Sequence, residues 1–212
     1  MRPPQSWDAA KVTLAITLAT VAAWLMVELS GQFGWAVGNL GFLPLRIGLE
    51  DDPFSVPVWL TPLTATLVHA GFFHLLFNLL MLVVCGRAVE AVLGPGGLIA
   101  LYLIGAFVAA AGQYLADPAS IVPMVGASGA VSAVIGAYAM LFGRNKVRVA
   151  HPRLALLLHA LWLMAGWVGL QLLVGYVTGA YGLGIAIFAH IGGFIAGVLL
   201  ARPLLLLRYR KA

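Results

Sequence analysis

Residues 72–93 read FFHLLFNLLMLVVCGRAVEAVL. A helix of about 20 mostly apolar residues crosses a lipid bilayer, and this run is long enough to do so. Its strongly polar side chains are His74 and Asn78 near one end and Arg87 and Glu90 near the other. An amphipathic surface helix would repeat polar residues on one face, and this run does not. Five further stretches of the same kind surround it: 12–29 before it, then 97–116, 126–142, 154–177 and 183–206. The chain therefore reads as an all-α polytopic membrane protein, a single domain over residues 1–212 with six transmembrane helices.

The composition agrees. Of 212 residues, 62% are apolar and 9% are charged, against about half and about a quarter in a soluble domain. Mean hydropathy is +1.02. These values exclude a disordered chain and a nucleic-acid-binding domain despite the net charge of +5. No nucleic-acid partner is expected. One cysteine, Cys85, excludes an intramolecular disulfide framework and reads as an ordinary buried thiol.

Charge placement sets the orientation. Arg2 and Lys11 precede the first span, and Arg87 closes the second. Arg144, Lys146, Arg148 and Arg153 fill the fourth connector, and Arg202, Arg208, Arg210 and Lys211 end the chain. With six spans all eleven share one side, while the twelfth basic residue, Arg46, lies opposite with Glu50, Asp51, Asp52 and Asp117. By the positive-inside rule both termini are cytoplasmic, an N-in/C-in topology. The basic clusters read as topology determinants and contacts to membrane lipids. The first span is expected to be retained: its apolar run exceeds a signal peptide's, and no A-x-A site follows.

Two outer connectors are unusually apolar. Residues 30–70 carry Phe33, Trp35, Phe42, Phe54 and Trp59 among glycines and prolines, and residues 117–125 read DPASIVPMV. Aromatics suit an element lying in the outer leaflet. Irregular backbone at that depth belongs against protein or a water-filled cavity.

Polar residues inside spans are costly and usually functional. In HAGFFHLLFNLL, His74 and Asn78 share a helix face. The fourth span opens GASGAVSAVIGAY with Ser128 and Ser132, and the sixth carries AHIGGFIAG with His190. The second, fourth and sixth spans all run from outside to inside, which places His74, Asn78, Ser128 and His190 near outer ends. His190 would lie roughly 10 Å below the start of its span at 1.5 Å per residue. His159 sits near the inner end of the fifth span, and His151 is cytoplasmic. Depth thus selects His190 as the base candidate for Ser128, with His74 as the alternative.

The residue types suit acyl transfer. An imidazole activates a serine hydroxyl by taking its proton. The oxyanion then formed needs fixed donors. His74 and Asn78 offer two, and unpaired N–H groups in the first turn of the fourth span offer more. Gly126 and Gly129 let another backbone approach the serine. No carboxylate lies at this depth, so the residues permit a dyad and not a triad. Gly193 and Gly197 form a GxxxG packing face that lets the sixth span approach the fourth. The fourth span, rich in Gly129, Ala130, Ser132, Ala133, Gly136 and Ala137, reads as a central helix. No metal or cofactor is expected.

Taken in order, HAGFFHLLFNLL, GASG and AHIGGFIAG resemble the rhomboid intramembrane serine proteases. Six spans, a cytoplasmic N-terminus and a long first outer loop match the same family over nearly the whole chain. The resemblance implies Ser128 as nucleophile and His190 as general base. It implies an oxyanion hole lined by His74, Asn78 and the Ser128 backbone amide, with Gly126 in the same turn. His69 would be structural. GRAVEAVLG, with Glu90, resembles the family's cytoplasmic end of the second span. The implied substrates are single-pass transmembrane proteins cut near the outer leaflet. The sequence leaves the oligomeric state open. Two departures stand out. Many members carry Trp-Arg in the first outer loop where this chain has Trp59-Leu60. Many place a tyrosine on the base from the position that Ser132 holds here. The other readings weighed are a rhomboid-like binding or chaperone protein without catalysis, and a metal or ion transporter built on the histidines. The first is disfavoured because serine and histidine are both present. The second is disfavoured because no intramembrane carboxylate or inverted repeat accompanies them. A short first segment without an Arg- and Ser-rich transit pattern favours a bacterial plasma membrane.

Overall fold

The structure, a computed structural model, describes residues 7, 10–49, 55–143, 149, 151–180 and 185–210. Arg2, Glu50, Asp51, Asp52, Phe54, Arg144, Lys146, Arg148 and Lys211, on which the loop and charge readings drew, lie outside the described residues, as do residues 183 and 184 of the sixth span. The described chain is helical, with no strand beyond one isolated antiparallel bridge between Phe42 and Met124. Its elements are α1 (Lys11–Ser30), α2 (Phe33–Leu40), α3 (Thr61–Thr64), α4 (Phe72–Met81), α5 (Arg87–Ala116), α6 (Ser128–Phe142), α7 (Pro152–Ala180) and α8 (Ile187–Arg208).

Among the described residues, four helical segments are long and apolar enough to cross a membrane: Lys11–Ser30, Phe72–Ala116, Pro152–Val174 and Ile187–Arg208. The second is 45 residues long because α4 runs through a π turn, Leu82–Gly86, into α5. Its backbone leaves the helical region at Gly94 (φ 78°, ψ 168°). Pro95 follows. Glycine accepts that φ without a Cβ clash, and proline suits the first position of a new helix. The sequence boundary between residues 93 and 97 therefore falls where the chain breaks. α6 is a shorter apolar helix.

α6 is the centre. Eight of its residues from Gly129 to Ala137 are buried, most of them small. Small residues matter because lipid tails give helices no hydrophobic reason to associate, and close van der Waals packing must do so instead. A Cβ on Gly193 of α8 would overlap the Gly129 carbonyl oxygen, and one on Gly197 would overlap that of Ala133. On the α5 side, a Cβ at Gly105 would stand 2.5 Å from the Ala133 methyl. α5 and α8 therefore pack against α6 backbone to backbone. The outward surfaces of α1 and α7 carry exposed Leu14, Leu18, Met26, Trp162, Leu172 and Leu173, as lipid-facing helices should.

Two polar devices hold the periphery. Glu90, 1% exposed, accepts from the backbone N–H of Val12 and of Thr13 (2.8 Å each) and from the Thr13 hydroxyl (2.7 Å). One carboxylate thus satisfies N–H groups that the start of α1 leaves without helical partners. It ties α1 to α5. In the first outer connector, the Arg46 guanidinium donates to Ser55 Oγ (2.8 Å) and the Val56 carbonyl (2.9 Å). Thr64 donates to the Leu40 carbonyl (2.7 Å). Phe42 and Met124 exchange two backbone bonds (2.9 and 2.8 Å), so the two apolar connectors are paired with each other. Trp59 of the Trp59-Leu60 pair is 65% exposed, and this loop is anchored through Arg46.

Candidate active site

Ser128 is the first residue of α6. The chain enters it through Gly126, whose φ of 109° is open to glycine and strained for other residues. This entry is pinned from outside. The Gly126 N–H donates to the Ala65 carbonyl (2.8 Å), and the Ala127 N–H donates to His69 Nε2 (3.3 Å). Those two amides are therefore engaged. The Ser128 N–H belongs to the first helical turn, whose donors have no carbonyl four residues back.

His190 Nε2 lies 2.7 Å from Ser128 Oγ. This is within the reach of about 2.6–3.2 Å that proton transfer needs, and it joins helices distant in sequence. The helical start of α8 at Ile187 makes His190 its fourth residue, one turn in. The sequence reading had put it about seven residues into a span from 183, so the ring sits shallower in its helix than expected.

His74 is on the first turn of α4 and Asn78 one turn later. The Ala70 N–H donates to His74 Nδ1 (3.3 Å). A neutral imidazole with an accepting Nδ1 carries its proton on Nε2. That nitrogen faces the serine turn: a Cβ on Gly126 would meet His74 Nε2 at 2.6 Å. Asn78 is buried and donates one amide hydrogen to the His74 carbonyl (2.8 Å), which leaves its second N–H for another acceptor. The two donors therefore share one helix and one side, as their spacing implied.

His69 lies before α4, because Gly71 (φ 98°) ends any continuation of that helix. Its side chain is 1% exposed. Burial, and then the neighbouring His74, lower it from 6.5 to about 4. It is neutral at pH 7 and keeps the lone pair that the Ala127 N–H needs. Gly129, Gly193 and Gly197 stand in the α6–α8 contact described above. His159, on α7, is buried beside Gly143 at the far end of α6 from Ser128, and His151 is exposed.

Two residues that the sequence reading passed over touch His190 from α7. Gln171 Oε1 is 3.0 Å from His190 Nδ1. Trp167 Nε1–H donates to the His190 carbonyl (3.2 Å), and its ring stacks on Phe194 with centroids 4.7 Å apart. The signal was present: Gln171 is a costly amide in an apolar span.

Similarity to known proteins covers most of the chain. A family model described as Rhomboid domain matches residues 57–207. The chain is 29% identical over 198 residues to Rhomboid protease GlpG of Pectobacterium atrosepticum, covering 91% of this chain and 62% of that protein. It is 27% identical over 201 residues to the protein of the same name from Photorhabdus laumondii, covering 92% and 62%. The Enterobacter counterpart is 36% identical over 140 residues, covering 65% and 46%. The chain thus spans less than two thirds of the length of these relatives.

Proposed function

The chain belongs to the rhomboid family of integral membrane proteins, and on that premise we propose that it is an intramembrane serine endopeptidase cutting single-pass transmembrane proteins near the outer leaflet. The observation that carries the reading is the 2.7 Å approach of Ser128 Oγ to His190 Nε2. Ser128 is the nucleophile and His190 the general base. As Oγ attacks the substrate carbonyl carbon, its proton passes to Nε2. The carbonyl oxygen becomes an oxyanion and accepts from His74 Nε2–H, Asn78 Nδ2–H and the Ser128 N–H. Such donors, fixed before charge develops, cost no reorganisation during reaction. Imidazolium then returns the proton to the leaving amine, and the C–N bond breaks. A water activated by the same imidazole hydrolyses the acyl enzyme.

A substrate helix hides its carbonyls in its own hydrogen bonds, so it must unwind locally before Ser128 can reach one. Small or helix-breaking residues near the cut are expected. In the membrane we read Gly94 as the turn between the second and third of six spans and α6 as the fourth, with both termini inside. The bacterial origin of the GlpG relatives supports a bacterial inner membrane.

The test is labelling of the detergent-purified protein by a fluorophosphonate, alongside cleavage of a single-pass substrate in liposomes. Ser128→Ala and His190→Ala should each lose both activities while keeping the wild-type melting temperature. Cleavage retained in Ser128→Ala refutes the mechanism.

A further inference from the structure

We propose that Gln171 is a positioning residue for His190, fixing which ring nitrogen carries the proton; this rests on the reading of Ser128 and His190 as the reacting pair. An amide oxygen only accepts, so the 3.0 Å contact between Gln171 Oε1 and His190 Nδ1 requires Nδ1–H. A neutral imidazole has one such proton. Nε2 is left with its lone pair directed at Ser128 Oγ, 2.7 Å away. The opposite tautomer would point an N–H at the hydroxyl and could not take its proton. Gln171 is 6% exposed, so water does not compete for the bond.

The grip is double. Trp167, one helical turn before Gln171 on α7, donates to the carbonyl of His190 itself (3.2 Å). Its ring lies nearly parallel to Phe194, at 9°. One helix therefore holds both the backbone and the ring of the base. The part a carboxylate plays in a serine triad divides in two here. A neutral amide sets tautomer and orientation, and among the described residues no carboxylate is hydrogen-bonded to this ring. His74 on α4 is the titratable neighbour that interacts with His190.

The experiment uses the full chain in detergent, labelled with 15N-histidine, as wild type, Gln171→Met, Gln171→Glu and Trp167→Phe. Wild type should show His190 with a protonated Nδ1 and an unprotonated Nε2. Gln171→Met should show a mixture of tautomers, with kcat on a single-pass substrate reduced roughly three- to tenfold and KM unchanged, the scale of one neutral hydrogen bond. Gln171→Glu should restore kcat and move the acid limb of the pH–rate profile to higher pH, because a carboxylate favours imidazolium. If Gln171→Met fails to fold, the Gln171→Glu profile carries the test. An Nε2–H tautomer in wild type overturns the proposal. So does a Gln171→Met protein with the wild-type spectrum and kcat. Absence of cleavage by wild type would count against the protease reading alone, since the spectrum reads the ring without turnover.

Discussion

A methyl group added at Gly193 should disable the site without touching a reacting atom. The Cβ of Gly193→Ala would overlap the Gly129 carbonyl oxygen and stand 3.0 Å from its carbon and 3.2 Å from the Ser132 Cβ. The oxygen is backbone in a buried helix and cannot rotate away. Contacts between carbon and carbonyl oxygen settle at about 3.3–3.6 Å, so α6 and α8 must part locally by about 1 Å or more. Gly129 adjoins Ser128, and Gly193 lies one turn from His190, so the displacement falls on the 2.7 Å contact between them. Lengthened by about 1 Å, that contact is no longer a hydrogen bond. Positioned general bases contribute typically 10²–10⁴-fold, and a misplacement of about 1 Å costs around 10². Fluorophosphonate labelling and substrate cleavage should therefore both fall about 100-fold. Overpacking should also cost about 1–3 kcal/mol and lower the melting temperature of a protein that still folds. Gly166→Ala is the control, since nothing lies within 4 Å of a Cβ there. Labelling of Gly193→Ala at the wild-type rate with unchanged melting would refute the packing argument.

Three further outcomes follow from the same geometry. Asn78→Ala should lower kcat about 10²-fold in the cleavage assay, since one oxyanion donor is worth roughly 10²–10³; a wild-type kcat would remove Asn78 from the oxyanion hole. Glu90→Ala leaves two backbone donors and the Thr13 hydroxyl without their acceptor. Hydrogen bonds to charged groups contribute about 1.5–3 kcal/mol each, so the melting temperature in detergent should drop well below wild type, with Glu90→Gln between them; three equal melting curves would contradict this. Arg46→Ala releases Ser55 and Val56. Protease added to intact vesicles or micelles should then nick the first outer connector faster, and an unchanged digestion rate would show that Arg46 does not anchor it.

The four long helical segments were legible as apolar runs, and the bounds at residues 93 and 97 bracket the break at Gly94. Depth reasoning pointed to His190 for Ser128 with His74 as the alternative, and the 2.7 Å contact is with His190. His69 showed less clearly. The resemblance alone made it structural, and Gly71, with its positive φ, takes it off the α4 helix. An orienting carboxylate leaves a charge in the sequence to read, whereas the group on His190 Nδ1 is the neutral amide of Gln171. The anchor of the first loop was missed because it was sought beside Trp59, while Arg46 reaches Ser55 and Val56 from upstream along a connector with no regular period. Side-chain reach across irregular chain leaves no repeat to read.

The brevity of α6 has a consequence for the membrane itself. Fifteen residues rise about 22 Å, some 8 Å less than a hydrocarbon layer of about 30 Å. Where α6 crosses such a layer, the bilayer thins locally or the segment from Pro123 to Ala127, directly before the serine, makes up part of the difference. Lipid acyl length thereby becomes a variable that acts on the turn leading into Ser128.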